Sequence, residues 1–161
     1  MKKKFAYGAT LLGLTALMIT ATALATMASG VTSTPYASGT VGDLDVKTKT
    51  DSWKLGISTK GESQVVVSEN RVAPGGTFGW HSHPGPSIVV VKSGVSTFYS
   101  GDDPNCTPQV HPAGTAYVDP GGSVHIARNE GSEDLVVVVT RIIPAGAPQR
   151  IDEPNPGNCP F

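Results

Sequence analysis

The chain reads as all-β, an antiparallel sandwich or barrel. Seven short runs rich in β-branched residues follow one another after residue 62, and most are closed by a Gly, Pro or Asp turn signal. No stretch beyond the first thirty residues carries a helical apolar period. The 161 residues include 19 Gly and 13 Pro, about a fifth of the chain, which is turn-rich yet below the roughly 25–30% that marks low-complexity sequence. Charge is nearly balanced, 12 basic against 13 acidic side chains, and without a basic stripe the composition argues against a nucleic-acid partner.

The N-terminal segment is a targeting signal. Lys2, Lys3 and Lys4 precede an uncharged stretch from Phe5 through Leu11, Leu12, Leu14, Leu17, Met18 and Ile19 to small residues at Ala23, Ala25, Ala28 and Ser29. A basic start, an apolar middle and a small-residue end describe a secretory signal peptide over residues 1–25, cut after Ala25, with a second cut site after Ala28. The competing reading is an uncleaved membrane anchor reaching to about residue 29, because no charge occurs between Lys4 and Asp43. Cleavage removes three lysines and leaves nine basic against 13 acidic residues, so the exported domain stands at net −4. The protein is expected outside the cytoplasm, secreted, and at a membrane only if this segment is retained.

Residues 26–52, rich in Thr, Ser, Gly and Ala, read as a linker and an initial extended strap. The folded domain is expected over 53–145, with strands at Gln64–Val72, Thr77–His83, Ser87–Lys92, Val95–Ser100, Thr115–Val118, Ser123–Asn129 and Leu135–Ile143. Two of these, through Ile88-Val89-Val90-Val91 and Val136-Val137-Val138-Val139, are apolar without alternation, which predicts strands covered on both faces. The second cover is either another sheet or a second copy of the chain in a homodimer. Residues 146–161 form a Pro-rich tail without a packing pattern of its own. Cys106 and Cys159 are the only cysteines, and an isolated pair in an oxidising compartment pairs as a disulfide that also holds down this tail. The other reading makes one of them a nucleophile or a metal ligand.

His81 and His83 stand two apart in Trp80-His81-Ser82-His83, so on a strand both project from the same face, about 6.5–7 Å apart at Cα. Two imidazoles so placed can converge on one cation. In Ser123-Val124-His125-Ile126-Ala127-Arg128-Asn129, alternation sets His125, Ala127 and Asn129 on one face. Pro74-Gly75-Gly76 and Pro120-Gly121-Gly122 read as tight turns. His111 reads as an exposed strand-end residue or a substitute ligand, and Asp119 as a turn residue or a partner orienting a histidine. The aromatics Trp80, Phe98, Tyr99 and Tyr117 read as core before substrate contacts. No serine-nucleophile elbow, HExxH helix or phosphate loop occurs.

The stretch from Gly75 through His81, His83 and Ser87 to Gly94 resembles the first motif of the cupin family, G-x5-H-x-H-x3,4-E-x6-G. The stretch from Gly114 through Pro120, Gly122 and His125 to Asn129 matches the family's second motif, G-x5-P-x-G-x2-H-x3-N, at every fixed position. The resemblance implies a jelly-roll barrel, a cupin-like double-stranded β-helix, with a divalent metal near one mouth. It carries His81, His83 and His125 over as metal ligands. Ser87 departs from the pattern, standing where the family usually has a glutamate ligand. A hydroxyl is a weaker and shorter donor, so water or substrate would take the fourth position. Without the carboxylate the net charge of a divalent site rises from about +1 to about +2, which favours an anionic ligand at some cost in metal affinity.

Three histidines suit Zn, Fe, Mn, Ni or Cu and do not choose among them. The function expected is metal-dependent oxygenase or isomerase chemistry on a small molecule. Two alternatives stay open, a non-catalytic module binding a small molecule or metal, and a structural barrel whose site has lost its metal. No general base stands out beside the histidines, so the sequence leaves open whether the protein is an enzyme.

Overall fold

The computed structural model describes residues 24–161, so the signal peptide lies outside the described residues apart from Leu24 and Ala25, and the longer anchor apart from residues 24–29. The described residues contain no helix and are organised by twelve strands. These are β1 (Ser29–Val41), β2 (Asp45–Lys49), β3 (Lys54–Ser58), β4 (Ser63–Thr77), β5 (His81–Ser82), β6 (Ser87–Ser93), β7 (Val95–Ser100), β8 (Gln109–Pro112), β9 (Ala116–Asp119), β10 (His125–Arg128), β11 (Leu135–Pro144) and β12 (Ile151–Asp152). All strand pairings are antiparallel.

Ten strands make a nearly closed jelly-roll barrel with two walls. One wall runs β1–β4–β11–β6–β9 and the other β12–β5–β10–β7–β8. They join where the end of β4 reaches β10, with Thr77 opposite Arg128. The crossing is made by Pro74-Gly75-Gly76. Gly75 has φ 73°, a conformation that costs a glycine nothing sterically, and a side chain at Gly76 would lie 2.8 Å from Val72 Cγ1. Backbone bonds from Gly75 N to Asn129 O (3.0 Å) and from Asn129 N to Gly76 O (2.9 Å) tie the bend to the end of β10. The Asn129 amide donates to Val72 O and Glu133 O at 2.8 and 2.7 Å, and its Oδ1 accepts from Gly131 N at 3.1 Å. Buried at 1% exposure, Asn129 satisfies backbone groups that the bend would otherwise leave unpaired.

The main core gathers Val72, Val89, Val91, Leu135, Val137 and Val139 between the walls. On β11 the sequence expectation holds for Val136, buried on the opposite face from Val137. On β6 it does not. Ser87, Val89 and Val91 point inward, while Ile88 and Val90 remain 43% and 44% exposed, so in the single chain this strand is covered on one face only. The β2–β3 hairpin faces this side only across a cleft that Leu55 and Ile57 line together with Ile88 and Val118, so within the single chain β6 is not an interior strand. The expected strand Thr77–His83 is also shorter than its sequence run. Gly79, with φ 70°, interrupts it, so Thr77 closes β4 opposite Arg128 and only His81–Ser82 form the separate strand β5. The sequence does not predict the hairpin of β2 and β3 or strands β8 and β12: β2 alternates Val46 and Thr48 with charged residues over only five positions, and β8 and β12 are four and two residues long.

Cys106 and Cys159 are joined, with their Cα atoms 5.2 Å apart. The tail they anchor packs closely. Ile151 and Asp152 pair with Ser82 and His81, and Phe161 lies against Trp80 and Tyr99 with ring centroids 6.5 and 5.1 Å away. The Arg128 guanidinium sits 4.0 Å above the Phe161 ring. Cutting a bridge of sequence separation 53 releases about 4 kcal/mol of loop-closure entropy in the chain-entropy model. Urea unfolding with and without reductant is expected to show a loss of up to that size; equal midpoints would mean that the bridge does not restrain the unfolded chain.

Candidate metal centre

The two histidine-bearing strands meet directly, with His81 on β5 paired opposite His125 on β10. His83 follows two residues on, and its carbonyl accepts from Gly122 N at 2.8 Å, so the Pro120-Gly121-Gly122 turn is fastened to the His81-Ser82-His83 segment. Gly121 has φ 80°, and a side chain there would lie 2.6 Å from the Gly85 backbone. The glycine is therefore required by close backbone approach as well as by the turn.

All three histidines are buried at 3–4% exposure, and their potential ligand atoms lie within 4.8 Å of one another. Each ring is fixed from behind by a backbone carbonyl. His81 Nδ1 donates to Gly79 O at 2.8 Å, His83 Nδ1 to Gln149 O at 2.7 Å, and His125 Nδ1 to Ser123 O at 3.1 Å. This bonding assigns the neutral tautomer with the proton on Nδ1, leaving the Nε2 lone pairs to converge. A carbonyl behind each imidazole is also the arrangement that orients and strengthens histidine metal ligands. Burial, with the neighbouring His125 and Arg150 charges, lowers His81 to about 2, and burial with Arg141 lowers His83 to about 3. Burial pushes His125 down as well, against the opposing pull of Asp119.

The histidines open on a chamber of about 40 Å³ inside the barrel, lined also by Ser87, Asp119, Arg141, Phe98 and Tyr117. That volume is on the order of one water molecule's space. Phe98 stacks on His125 with centroids 5.0 Å apart, and Tyr117 meets Phe98 at 5.8 Å. These two aromatics are wall residues of the chamber, whereas Trp80 and Tyr99 belong to a separate cluster with Ile126 and Cys159. His111 lies outside the group, its ring stacked on the far neighbour Tyr117 at 4.1 Å.

Three polar groups have no hydrogen-bond partner here: Ser87 Oγ, Asp119 Oδ2 and Arg141 Nε. Buried polar atoms without partners are costly, and their common direction marks a place for a ligand or ion. The residues present thus fit a divalent cation, with three neutral nitrogen donors, their rings locked, and unsatisfied oxygen atoms beside them. Ser87 faces the chamber as its motif position implies. Asp119 is more than a turn residue: Oδ1 accepts from Gly121 N at 3.0 Å, while Oδ2 lies 3.7 Å from His125 Nε2. Arg141 was not singled out by any motif. Its direction was nevertheless written in β11, where Leu135, Val137 and Val139 point inward and Arg141 continues the alternation.

The family model described as Cupin domain matches residues 68–141. The matched stretch runs from β4 to β11 and contains all three histidines, so the resemblance to the cupin domain falls on the barrel and its chamber. Among solved structures, the chain is similar to a double-stranded β-helix domain protein from Klebsiella pneumoniae, at 27% identity over 55% of this chain and 75% of that one, TM-score 0.46. A cupin superfamily protein from Desulfitobacterium hafniense aligns at 14% identity over 70% and 77% of the two chains, TM-score 0.47. The polyketide cyclase RemF from Streptomyces resistomycificus aligns at 19% over 57% and 64%, TM-score 0.47. No curated protein matches the chain.

The histidine values fix a pH dependence. In the unfolded chain these imidazoles take protons near pH 6.5, whereas folded His81 and His83 stay neutral down to about 2 and about 3. Between those limits the unfolded state binds more protons, so stability falls as pH drops. The metal-free protein is expected to lose denaturation midpoint steadily from about pH 7 to about pH 4, and a His81→Gln/His83→Gln variant to show a flatter profile. Parallel profiles for the two proteins would contradict the buried neutral assignment.

Proposed function

We propose that this protein is an exported, single-domain cupin that holds one divalent metal through His81, His83 and His125 and takes a small anionic molecule at Arg141 beside it. The observation that supports this most directly is the set of three buried imidazoles whose Nδ1 atoms are occupied by Gly79, Gln149 and Ser123 carbonyls. A bound divalent cation would polarise an anionic group or activate water or dioxygen, which is the chemistry of metal-dependent oxygenases and isomerases. Arg141 presents a buried Nε without a partner to the same chamber, and a guanidinium recognises a carboxylate through paired N–H donors. Phe98 and Tyr117 restrict the inner space, so the charged end of the ligand enters and the remainder lies toward the mouth.

The first described residues favour the cut after Ala25 over the one after Ala28. Ala25 bridges Pro154, and Thr26 is held more firmly, its N donating to Glu153 O at 3.0 Å and its Oγ1 accepting from Trp80 N at 2.6 Å. Cleavage after Ala25 leaves the Thr26 bonds intact, while a cut after Ala28 removes them. The intact mass of the exported protein is therefore expected to correspond to a chain beginning at Thr26; an unprocessed mass would favour the anchor.

Elemental analysis of protein purified without an affinity tag is expected to show close to one metal per chain, lost in the His81→Ala/His125→Ala variant. An absence of metal from the wild type would sink the proposal. With metal bound, Arg141→Gln is expected to weaken binding of small carboxylates about tenfold or more while metal content stays unchanged. Oxygen uptake or turnover with candidate acids, phenols and thiols identifies the enzyme; carboxylate binding without turnover identifies a binding module.

A further inference from the structure

Ser87 and Asp119 are direct cross-strand partners on β6 and β9. Both are buried, at 2% and 3% exposure, both face the chamber, and each leaves an oxygen without a hydrogen-bond partner. The position that departs from the family's carboxylate ligand therefore has a carboxylate directly opposite it.

The geometry between Asp119 and His125 carries the argument further. His125 donates its Nδ1 proton to Ser123 O, so its Nε2 presents a lone pair. An ionised carboxylate is also an acceptor only. Two acceptors, Nε2 and Oδ2, thus face each other at 3.7 Å inside the barrel, too far apart for a hydrogen bond and mutually repulsive without a positive charge between them. Two ligands of one tetrahedral metal with bonds of about 2.1 Å lie about 3.4 Å apart. The observed separation is close to that value. Meanwhile Asp119 Oδ1 is held by Gly121 N at 3.0 Å, which fixes the carboxylate while leaving Oδ2 available.

We propose that Asp119 supplies the carboxylate of the metal centre in place of the glutamate that Ser87 has replaced, making the ligand set three histidines and one aspartate drawn from the neighbouring strand. The short Ser87 side chain leaves the space into which the Asp119 carboxylate projects. This rests on the metal-binding reading above. It also restores the negative charge that Ser87 removes, so anion recognition falls to Arg141 and not to an excess charge on the metal.

The test is a double-mutant cycle on the full exported chain, with Zn(II) affinity measured by competition against a chelator for wild type, Asp119→Asn, Ser87→Glu and the double variant. Asn retains the oxygen that accepts from Gly121 N, so the turn is preserved. Asp119→Asn is expected to weaken Zn(II) binding about tenfold or more, and Ser87→Glu to restore most of that loss in the Asp119→Asn background while giving a much smaller gain in the wild type. Unchanged affinity in Asp119→Asn, or the same Ser87→Glu gain in both backgrounds, overturns the assignment of Asp119 while leaving the three-histidine site standing. A wild type that binds no Zn(II) refutes the metal-binding reading itself. If Asp119→Asn does not fold, infrared difference spectra of the wild type with and without Zn(II) decide the matter: a shifted carboxylate stretch is expected, and its absence overturns the proposal.

Discussion

The crossing of β4 into β10 is the constraint on which the rest of the structure depends. Two backbone bonds between Gly75–Gly76 and Asn129, together with the three bonds of the Asn129 amide, hold the long strand of one wall against the histidine strand of the other. That junction sets where β10 begins and ends, and hence that His125 stands opposite His81. Shifting β10 by one residue would turn His125 outward and bring Val124 or Ile126 to the chamber, because side chains alternate along a strand. The site is thus a property of register, and register is set several residues away by an amide and two glycines.

The chamber that results contains opposed electrostatic elements in a very small space. Three imidazoles remain neutral because burial makes their protonation costly. A carboxylate and a guanidinium approach the same space without pairing to each other: Asp119 Oδ2 and Arg141 Nε each lack a partner. A simple ion pair between them would have satisfied both groups and closed the cavity. Both stand on the same wall, on either side of Ser87, so a negative oxygen near His125 and a positive donor two strands away face one space, an arrangement that favours a cation and an anion bound side by side.

Much of this was legible in the sequence, and the reasons for what was not are specific. Short β-branched runs and Gly/Pro turns identified the barrel because an inward face every second residue needs that pattern. The three histidines were legible because i, i+2 spacing and a strict turn motif leave few alternatives. The single chain covers β6 on one face only, because an apolar run does not reveal whether its outward residues, Ile88 and Val90, meet a neighbour within the chain or a second copy of it. Asp119 and Arg141 were harder. Each sits at the end of an inward series, Tyr117–Asp119 and Val137–Val139–Arg141, but which face is inward, and that β9 lies against β6, are facts of tertiary pairing. A polar residue that continues an apolar inward series is the signal that was available.

The C-terminal tail was read as a segment merely fastened by a bridge. Its upstream part, however, supplies Gln149 O, the carbonyl that orients His83, and it leads through the β12 pairing with β5 to Cys159. One stretch of thirteen residues, from Gln149 to Phe161, thus carries a hydrogen bond to a histidine ring, a strand pairing, a covalent tie and an aromatic contact, so a change anywhere along it is passed on to the aim of the His83 imidazole.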